Sequence, residues 1–199
     1  MKIALILLLI VSILIISSQV YFAMAQTETQ AYKIIKTEKD FEVRLYPPAT
    51  MASVSMAANT YKELSSSGFR KLASYIFGGN DADKNIAMTT PVHMDINDSL
   101  SSMSFVMPSK YSKDKLPKPK DSGITIETTA EEYVAAIRFG GYANDEDIKK
   151  YATKLKTALK ENSIEYFGNF RFLGYNAPYQ FWGRRNEIIV SVRWLENNK

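Results

Sequence analysis

The sequence predicts an α+β fold, a distorted antiparallel β-barrel of about eight strands with two packed helices. The hydrophobic pattern alternates between the periods of strands and helices, and the order β-β-α-β-β occurs twice. A polar segment at 108–123, with five lysines and three prolines, separates the two halves. Such a high ratio of strands to helices excludes a doubly wound parallel sheet, which needs helices on both faces.

Residues 1–25 are distinct from the rest of the chain. An uncharged apolar run at 3–16 precedes the small-residue site Ala23–Ala25, which is typical of a secretory signal peptide cleaved before Gln26. An uncleaved membrane anchor is the alternative, and this segment would then be the chain's only membrane contact. Either alternative places the domain at 32–195 outside the cytoplasm, exported or membrane-anchored.

Strand-like alternation recurs along the chain. In "FEVRLY", for example, Phe41, Val43 and Leu45 fall on one face, and Glu42 and Arg44 on the other. The predicted strands lie, in order, around 41–46, 49–56, 86–96, 102–107, 124–129, 133–139, 170–175 and 187–194.

Two amphipathic helices are predicted, near 60–77 and near 145–162. Asn or Thr at 59–60 can cap the first helix, and Asn or Asp at 144–145 can cap the second. The apolar stripes of the helices and the alternation of the strands together predict which residues are buried. The core residues that we expect are Leu72, Ile76, Ile137, Leu155 and Val190.

Several segments resemble the SOUL haem-binding protein family. They are "FEVRLYPP" at 41–48, "GFRKLASYIFGGN" at 68–80, "IAMTTPV" at 86–92, "FVMPSKY" at 105–111, "FGGYA" at 139–143 and "YNAPYQFWGRRNEIIV" at 175–190. Their order and spacing match the family across about residues 32–194. The resemblance implies a barrel with a pseudo-twofold repeat, in agreement with the element order. It also implies haem or another tetrapyrrole bound in a shallow apolar cleft beside the first helix, with no common enzymatic reaction.

For the cleft that the resemblance implies, the first helix and the loop before the last strand supply candidate residues. Aromatic side chains can cover a flat porphyrin, and cations can bind its carboxylates. The expected residues are Phe69, Arg70, Lys71, Ala73, Tyr75, Tyr175, Tyr179, Trp182 and Arg184. Family members are thought to use basic residues on the exposed helix face, where this chain has Ser66 and Ser74. Arg70 is the best substitute for these basic residues, because its guanidinium is a planar fork. The alternative is that the basic residues of this helix only solvate its outer face.

The motif "GRRNE" at 183–187 has two interpretations. Arg184 and Arg185 could bind the carboxylates of a ligand, or they could hold loop carbonyls and pair with Glu187. We favour the structural role for at least one arginine. The SOUL barrel is also similar to drug-sensing effector domains of some bacterial regulators, where a pocket glutamate receives cationic aromatic compounds. Glu187 is the corresponding candidate, by analogy of fold alone.

His93 is the only histidine in the chain. It shares a strand face with Asp95 and Asn97, opposite the apolar residues, so we expect it beside water or under a neighbouring element. We interpret it as a surface strand residue. A protein metal site needs further ligands that the sequence lacks, whereas a single axial bond from His93 to haem iron is the alternative.

Composition narrows the function classes. The chain has no cysteine, which excludes disulfides, thiolate ligation and cysteine-based catalysis. The net charge of +4 is too small and scattered to predict nucleic-acid binding. Within these limits, the resemblance to the SOUL family implies haem or another tetrapyrrole as the ligand. We expect a monomeric, non-catalytic carrier, scavenger or buffer of this ligand, with no other metal. A general binding module for flat amphipathic or cationic molecules, and an enzyme acting on a tetrapyrrole, are the alternatives.

Overall fold

The structure, a computed structural model, describes residues 2, 6–15, 27–97 and 99–194. Residues 6–15 are helical and exposed. Among the described residues, no helix combines the length and the apolar character needed to cross a membrane. Apart from residues 2 and 6–15, the predicted signal segment at 1–25, including its cleavage site, lies outside the described residues.

From residue 27 onward the described chain forms eleven strands, two α-helices and a short 3-10 helix at Lys113–Lys115. The first half contains β1 (Glu28–Thr29), β2 (Lys33–Thr37), β3 (Glu42–Tyr46), β4 (Thr50–Met56), α1 (Tyr61–Ile76), β5 (Thr89–Thr90), β6 (Val92–Asp95) and β7 (Ser101–Val106). The second half contains β8 (Ile124–Thr128), β9 (Glu132–Phe139), α2 (Asp145–Glu161), β10 (Tyr166–Gly174) and β11 (Asn186–Val192).

Nine strands form one antiparallel sheet in the order β2-β3-β9-β11-β10-β6-β7-β4-β8. The short strands β1 and β5 pair in parallel and form a separate sheet. The predicted mixed α+β class and the antiparallel pairing are therefore confirmed. The pairings among the described strands leave β2 and β8 as edges, so the closed barrel and its twofold repeat stay predictions.

Both helices begin and end close to their predicted positions. The side chains of Thr60 and Asn144 each accept a hydrogen bond from a backbone N–H three residues later, at 3.2 and 2.8 Å. Asp145 has a different partner, because its Oδ1 accepts from the backbone N–H of Tyr61 at 2.7 Å. This bond holds the first turn of α1 against the first turn of α2.

The main core lies between the sheet and the two helices. The helix α1 packs against β4 and β7, and α2 packs against β9, β10 and β11. Gly68 allows the close approach of α1, since a Cβ at this position would lie 3.2 Å from Met103 Cβ. The five predicted core residues are each at most 2% exposed, which confirms the phases of both helices and of β9 and β11.

A second, smaller apolar cluster lies on the other face of the sheet. It consists of Tyr46, Val134, Ala136, Leu173 and Ile189. Several of these residues alternate along β9 and β11 with residues of the main core, as expected for a sheet with two covered faces. Charged side chains, including Arg44 and Glu187, are enclosed beside this cluster.

Candidate ligand-binding site

Residues 176–184, in the connection between β10 and β11, carry exposed aromatic side chains, and we call this segment the aromatic loop. Tyr179, Phe181 and Trp182 are 61%, 72% and 81% exposed. Tyr142 lies next to them, and its hydroxyl donates to the carbonyl of Pro178 at 3.1 Å. A patch of exposed aromatic groups retains a large unfavourable hydration free energy, which a ligand with an apolar surface would remove.

Arg184 holds the aromatic loop in its conformation. Its Nη1 donates to the carbonyls of Ala177 and Gln180, both at 2.8 Å, and its guanidinium lies 4.2 Å from the centre of the Tyr142 ring. Its Nε is enclosed and has no hydrogen bond to the described chain. These contacts agree with the structural interpretation of Arg184. Because its Nη1 already donates to two carbonyls of the loop, fewer of its N–H groups are free to bind a ligand.

The aromatic loop lies near the beginning of α1. Burial raises the pKa of Tyr61, and the positive charge of the nearby Arg184 opposes this rise. The Tyr61 ring also packs edge-on against Phe172 of β10, with 5.3 Å between ring centres. The first turn of α1 and Arg184 of the aromatic loop are therefore close enough to interact electrostatically.

The site residues predicted farther along α1 do not converge. Successive residues of an α-helix are about 100° apart around its axis, so three consecutive side chains point in different directions. The Phe69 ring packs against Phe105 at 5.3 Å, Arg70 is exposed, and Lys71 pairs with Asp121 at 3.5 Å. Of the two cations, Arg70 is the one without an ion pair in the described part of the chain.

Tyr75 and Ala73 also occupy different environments. Tyr75 is fully enclosed in the main core, its hydroxyl donates to the carbonyl of Pro117 at 2.9 Å, and burial raises its pKa to about 12. This position corrects the predicted site, because an enclosed ring cannot contact a ligand in a cleft. Ala73, by contrast, is half-buried on the flank of α1 that also carries Phe69.

Glu187 lies at the centre of a buried network on the other side of the sheet. Its carboxylate accepts from Arg44 Nη1 and Nη2 at 2.7 and 3.1 Å, from Arg185 Nε at 2.9 Å, and from the Tyr175 hydroxyl at 2.9 Å. Arg44 and Arg185 donate further to a carboxylate and a hydroxyl nearby. We call this network the Glu187 cluster, and it comprises Tyr32, Glu42, Arg44, Tyr175, Arg185 and Glu187.

Electrostatics keep Glu187 ionised and paired. Burial alone would raise its pKa, but the hydrogen bonds and charges of Arg44 and Arg185 outweigh burial, and the pKa lies below its usual value. A cationic ligand at Glu187 would have to displace an arginine, and breaking a buried ion pair costs about 3–5 kcal/mol. The geometry therefore argues against Glu187 as a receptor for cationic aromatic compounds.

The Glu187 cluster also removes Tyr175 from the predicted ligand site. Tyr175 is half-buried, burial raises the pKa of its hydroxyl, and its ring stacks under the Arg185 guanidinium at 3.9 Å. Its side chain is directed into the cluster rather than toward the exposed aromatic groups. Arg185 likewise takes the structural role that the sequence left open for one of the two arginines.

His93 faces away from the main core, as its strand phase predicts, but it is not a surface residue. It lies opposite Leu173 of β10, is half-buried, and its Nε2 is 2.8 Å from Gln30 Oε1 in the N-terminal segment. Burial, together with the nearby charge of Arg171, lowers the pKa of His93 to about 3. The expectation of a surface residue is corrected, and the engaged, covered Nε2 argues against an axial bond to iron.

The exposed aromatic loop on an antiparallel α+β scaffold is a surface suited to a flat apolar ligand. The family model described as "SOUL heme-binding protein" matches residues 27–191, and the chain belongs to this family. The resemblance found in the sequence is thereby confirmed. In the described residues, no group of three or more His, Asp or Glu side chains is placed to hold a metal ion.

Relatives named heme-binding proteins agree with this assignment. The chain is 32% identical over 165 residues to "Heme-binding protein 1" of Xenopus laevis, covering 78% of this chain and 86% of that protein. It is 30% identical over 156 residues to "Heme-binding protein 2" of Homo sapiens, covering 74% of this chain and 76% of that protein.

Two solved structures share the fold. The C-terminal domain of EcmrR aligns with a TM-score of 0.58 at 9% identity, over 82% of this chain and 99% of that domain. An uncharacterized conserved protein from Listeria innocua aligns with 0.59 at 9% identity, over 78% and 93%. At such identities the two structures show the fold alone.

Two exposed aromatic residues were absent from the predicted site. Phe181 lies inside the segment "YNAPYQFW", and a run of aromatic residues in a loop is a signal that could have identified it. Tyr142 follows Gly140-Gly141 in another part of the sequence, and only the fold places it beside Pro178.

Proposed function

We propose that this protein binds haem or another tetrapyrrole as a non-catalytic carrier, scavenger or buffer. The observation that carries the proposal is membership of the SOUL heme-binding family over residues 27–191. Relatives named heme-binding proteins align over most of their own length, which supports a binding role rather than catalysis.

The proposed contact surface is the aromatic loop together with the neighbouring first helix. Tyr179, Phe181 and Trp182 offer aromatic area that is already exposed, so a flat ligand can cover it without unfolding any part of the core. Phe69 and Ala73, half-buried on one flank of α1, would extend this surface. Together these residues would line the shallow apolar cleft that we propose beside the first helix.

Cations at the rim would bind the two carboxylates of the porphyrin. Arg70 is exposed, and no other described residue forms an ion pair with it, so its planar fork is available. Lys71 and Arg184 are weaker candidates for this contact. Lys71 would first have to break its ion pair with Asp121, and Arg184 would have to bind the ligand while it still donates to the carbonyls of the loop. The residues present thus fit the porphyrin and its carboxylates better than they fit its iron. When bound, haem would supply iron and its redox chemistry, whereas the protein supplies apolar contact and charge.

We further propose that the domain acts outside the cytoplasm, as an exported or membrane-anchored monomer without a nucleic-acid partner. The apolar run at 3–16 and the site Ala23–Ala25 support export. N-terminal sequencing of the exported protein would show Gln26 as the first residue if the segment is cleaved. Recovery of the intact segment in the membrane fraction would favour the anchor.

Absorbance titration of the full chain with haem tests the binding proposal. We expect a saturable Soret band at one haem per chain, and competition by a metal-free porphyrin because contact with the ring outweighs iron ligation. Absence of saturable binding of haem and of metal-free porphyrin would overturn the proposal. Conversion of the bound pigment to a product over repeated turnovers would favour an enzyme instead.

A further inference from the structure

A cavity of about 340 Å³ lies next to the Glu187 cluster, on the side of the sheet that carries the smaller apolar cluster. Residues 37–42, between β2 and β3, form one wall, and side chains of β9 and β11 form another. The volume is at the small end of the range for small-molecule sites and suits a metabolite rather than a porphyrin. The cavity shares no lining residue with the exposed aromatic groups Tyr179, Phe181 and Trp182.

Each carboxylate that lines the cavity already has a cationic partner. At the outer end, Glu38 pairs with Lys36 at 2.8 Å, and Asp40 pairs with Lys154 at 2.7 Å. At the inner end, Glu42 pairs with Arg44 at 2.7 Å, and Glu187 is shared by Arg44 and Arg185. A cation entering the cavity would therefore meet no free negative charge.

Two cations of the lining have no such partner. Arg138 and Lys39 are exposed, and neither forms an ion pair or a side-chain hydrogen bond to a described residue. Arg138 lies directly opposite Glu187 in the β9–β11 register, which places it at the entrance to the buried cluster. Because all local carboxylates are paired, the uncompensated charge of the cavity is positive.

One aromatic side chain lines the cavity. It is Tyr32, and the Arg44 guanidinium lies 4.3 Å from the centre of its ring. A planar guanidinium at the entrance favours bidentate contact with a planar oxyanion, and an aromatic ring in the wall favours a ligand with an apolar part.

We propose that this cavity is a second binding site, for a small organic carboxylate, with Arg138 as the principal anion-binding residue and Lys39 as its support. The carboxylate contacts the free guanidinium, and the remainder of the ligand lies against Tyr32. The site is independent of haem binding, since it lies on the other side of the sheet and uses different residues.

Calorimetric titration of the full chain with benzoate tests the proposal, with benzyltrimethylammonium as a cation of similar shape and inorganic phosphate as a non-aromatic anion. We expect saturable binding of benzoate, weaker binding of phosphate and none of the cation. Arg138→Gln should weaken benzoate binding about tenfold, and Lys39→Gln about threefold. Arg193→Gln, which removes an exposed arginine paired with Glu165, is the matched control and should change affinity less than twofold.

The outcomes separate this site from the others. Binding of benzyltrimethylammonium without benzoate would overturn the proposal in favour of a cation site at Glu187. Benzoate binding that survives Arg138→Gln unchanged, or the absence of benzoate binding, would also overturn it. Benzoate should bind equally well to the protein saturated with haem, whereas stoichiometric displacement by haem would show that the two sites are one.

Discussion

Arg184 and Arg185 are adjacent in the chain, but they belong to two regions with different surroundings. Arg185 donates into the Glu187 cluster, where both oxygens of the buried carboxylate are occupied by arginine and tyrosine donors. Arg184 holds the aromatic loop, where three aromatic side chains are more than 60% exposed. Groups in the first region have their partners within the protein, so the region stabilises the fold. The aromatic groups in the second region lose their unfavourable hydration only when another molecule covers them, so the region is suited to binding.

Glu187→Gln should produce the largest loss of stability. The substitution removes the charge that neutralises Arg44 and Arg185, and Arg44 is almost fully enclosed. We expect the free energy of unfolding to fall by about 3–5 kcal/mol, measured by urea denaturation. Glu165→Gln, in an exposed pair with Arg193, is the control and should change it by less than about 1 kcal/mol. Equal losses in the two variants would show that the Glu187 cluster contributes no special stability.

Leu72→Ala compares the main core with the aromatic loop. Leu72 is fully enclosed on α1, and truncation should lower the free energy of unfolding by about 2–5 kcal/mol. Trp182 is 81% exposed, so Trp182→Ala should change it by less than about 0.5 kcal/mol. Chemical denaturation of both variants measures the difference. A loss below about 1 kcal/mol for Leu72→Ala would contradict the packing of α1 described here.

His93, on the same side of the sheet as the Glu187 cluster, allows a test of a half-buried group without a counter-ion. Its pKa in the folded protein is about 3, below the ordinary value of 6.5, so the unfolded chain takes up the proton first. Its contribution to stability is complete above pH 6.5 and is lost as the pH falls toward 3. Between pH 7.5 and 5 the free energy of unfolding should therefore fall by about 1–2 kcal/mol.

Because the chain has one histidine, His93→Gln should remove most of this slope between pH 7.5 and 5. Glutamine keeps a polar group near Gln30 and does not titrate. Urea denaturation at several pH values measures both proteins. A slope that is the same in the wild type and in the variant would show that His93 is solvated and titrates normally.

Much of the fold was predictable, because it rests on local patterns. The stripe containing Leu72 and Ile76 fixed the buried face of α1, and the capping residues located the beginnings of both helices. The N-terminal strands β1 and β2 were missed, since their short segments "ET" and "KIIKT" are mostly exposed and carry little alternation. The bond between His93 and Gln30 depends on that segment, which explains why the ring was expected at the surface.

The candidate site was predictable only in part, because it depends on contacts between distant segments. The exposed aromatic residues Tyr179 and Trp182 were found through their motif. Tyr75 was misplaced since an aromatic residue on an amphipathic helix can belong to the core or to a ligand surface, and the strands beneath the helix decide which. The paired state of Glu187 could not be read from "GRRNE" alone, because one of its two arginine partners is Arg44, 143 positions earlier in the chain.

The aromatic loop as the ligand-binding surface is tested most directly by haem titration of the wild type beside the variant Phe181→Ala/Trp182→Ala. Both side chains are more than 70% exposed, so the variant should fold with unchanged stability. We expect the wild type to bind haem saturably and the variant to bind it at least tenfold more weakly, which is about 1.4 kcal/mol. His93→Gln, measured in the same series, should bind within twofold of the wild type. Normal binding by the loop variant, with loss of the Soret band in His93→Gln, would contradict the account and identify the histidine as the haem ligand.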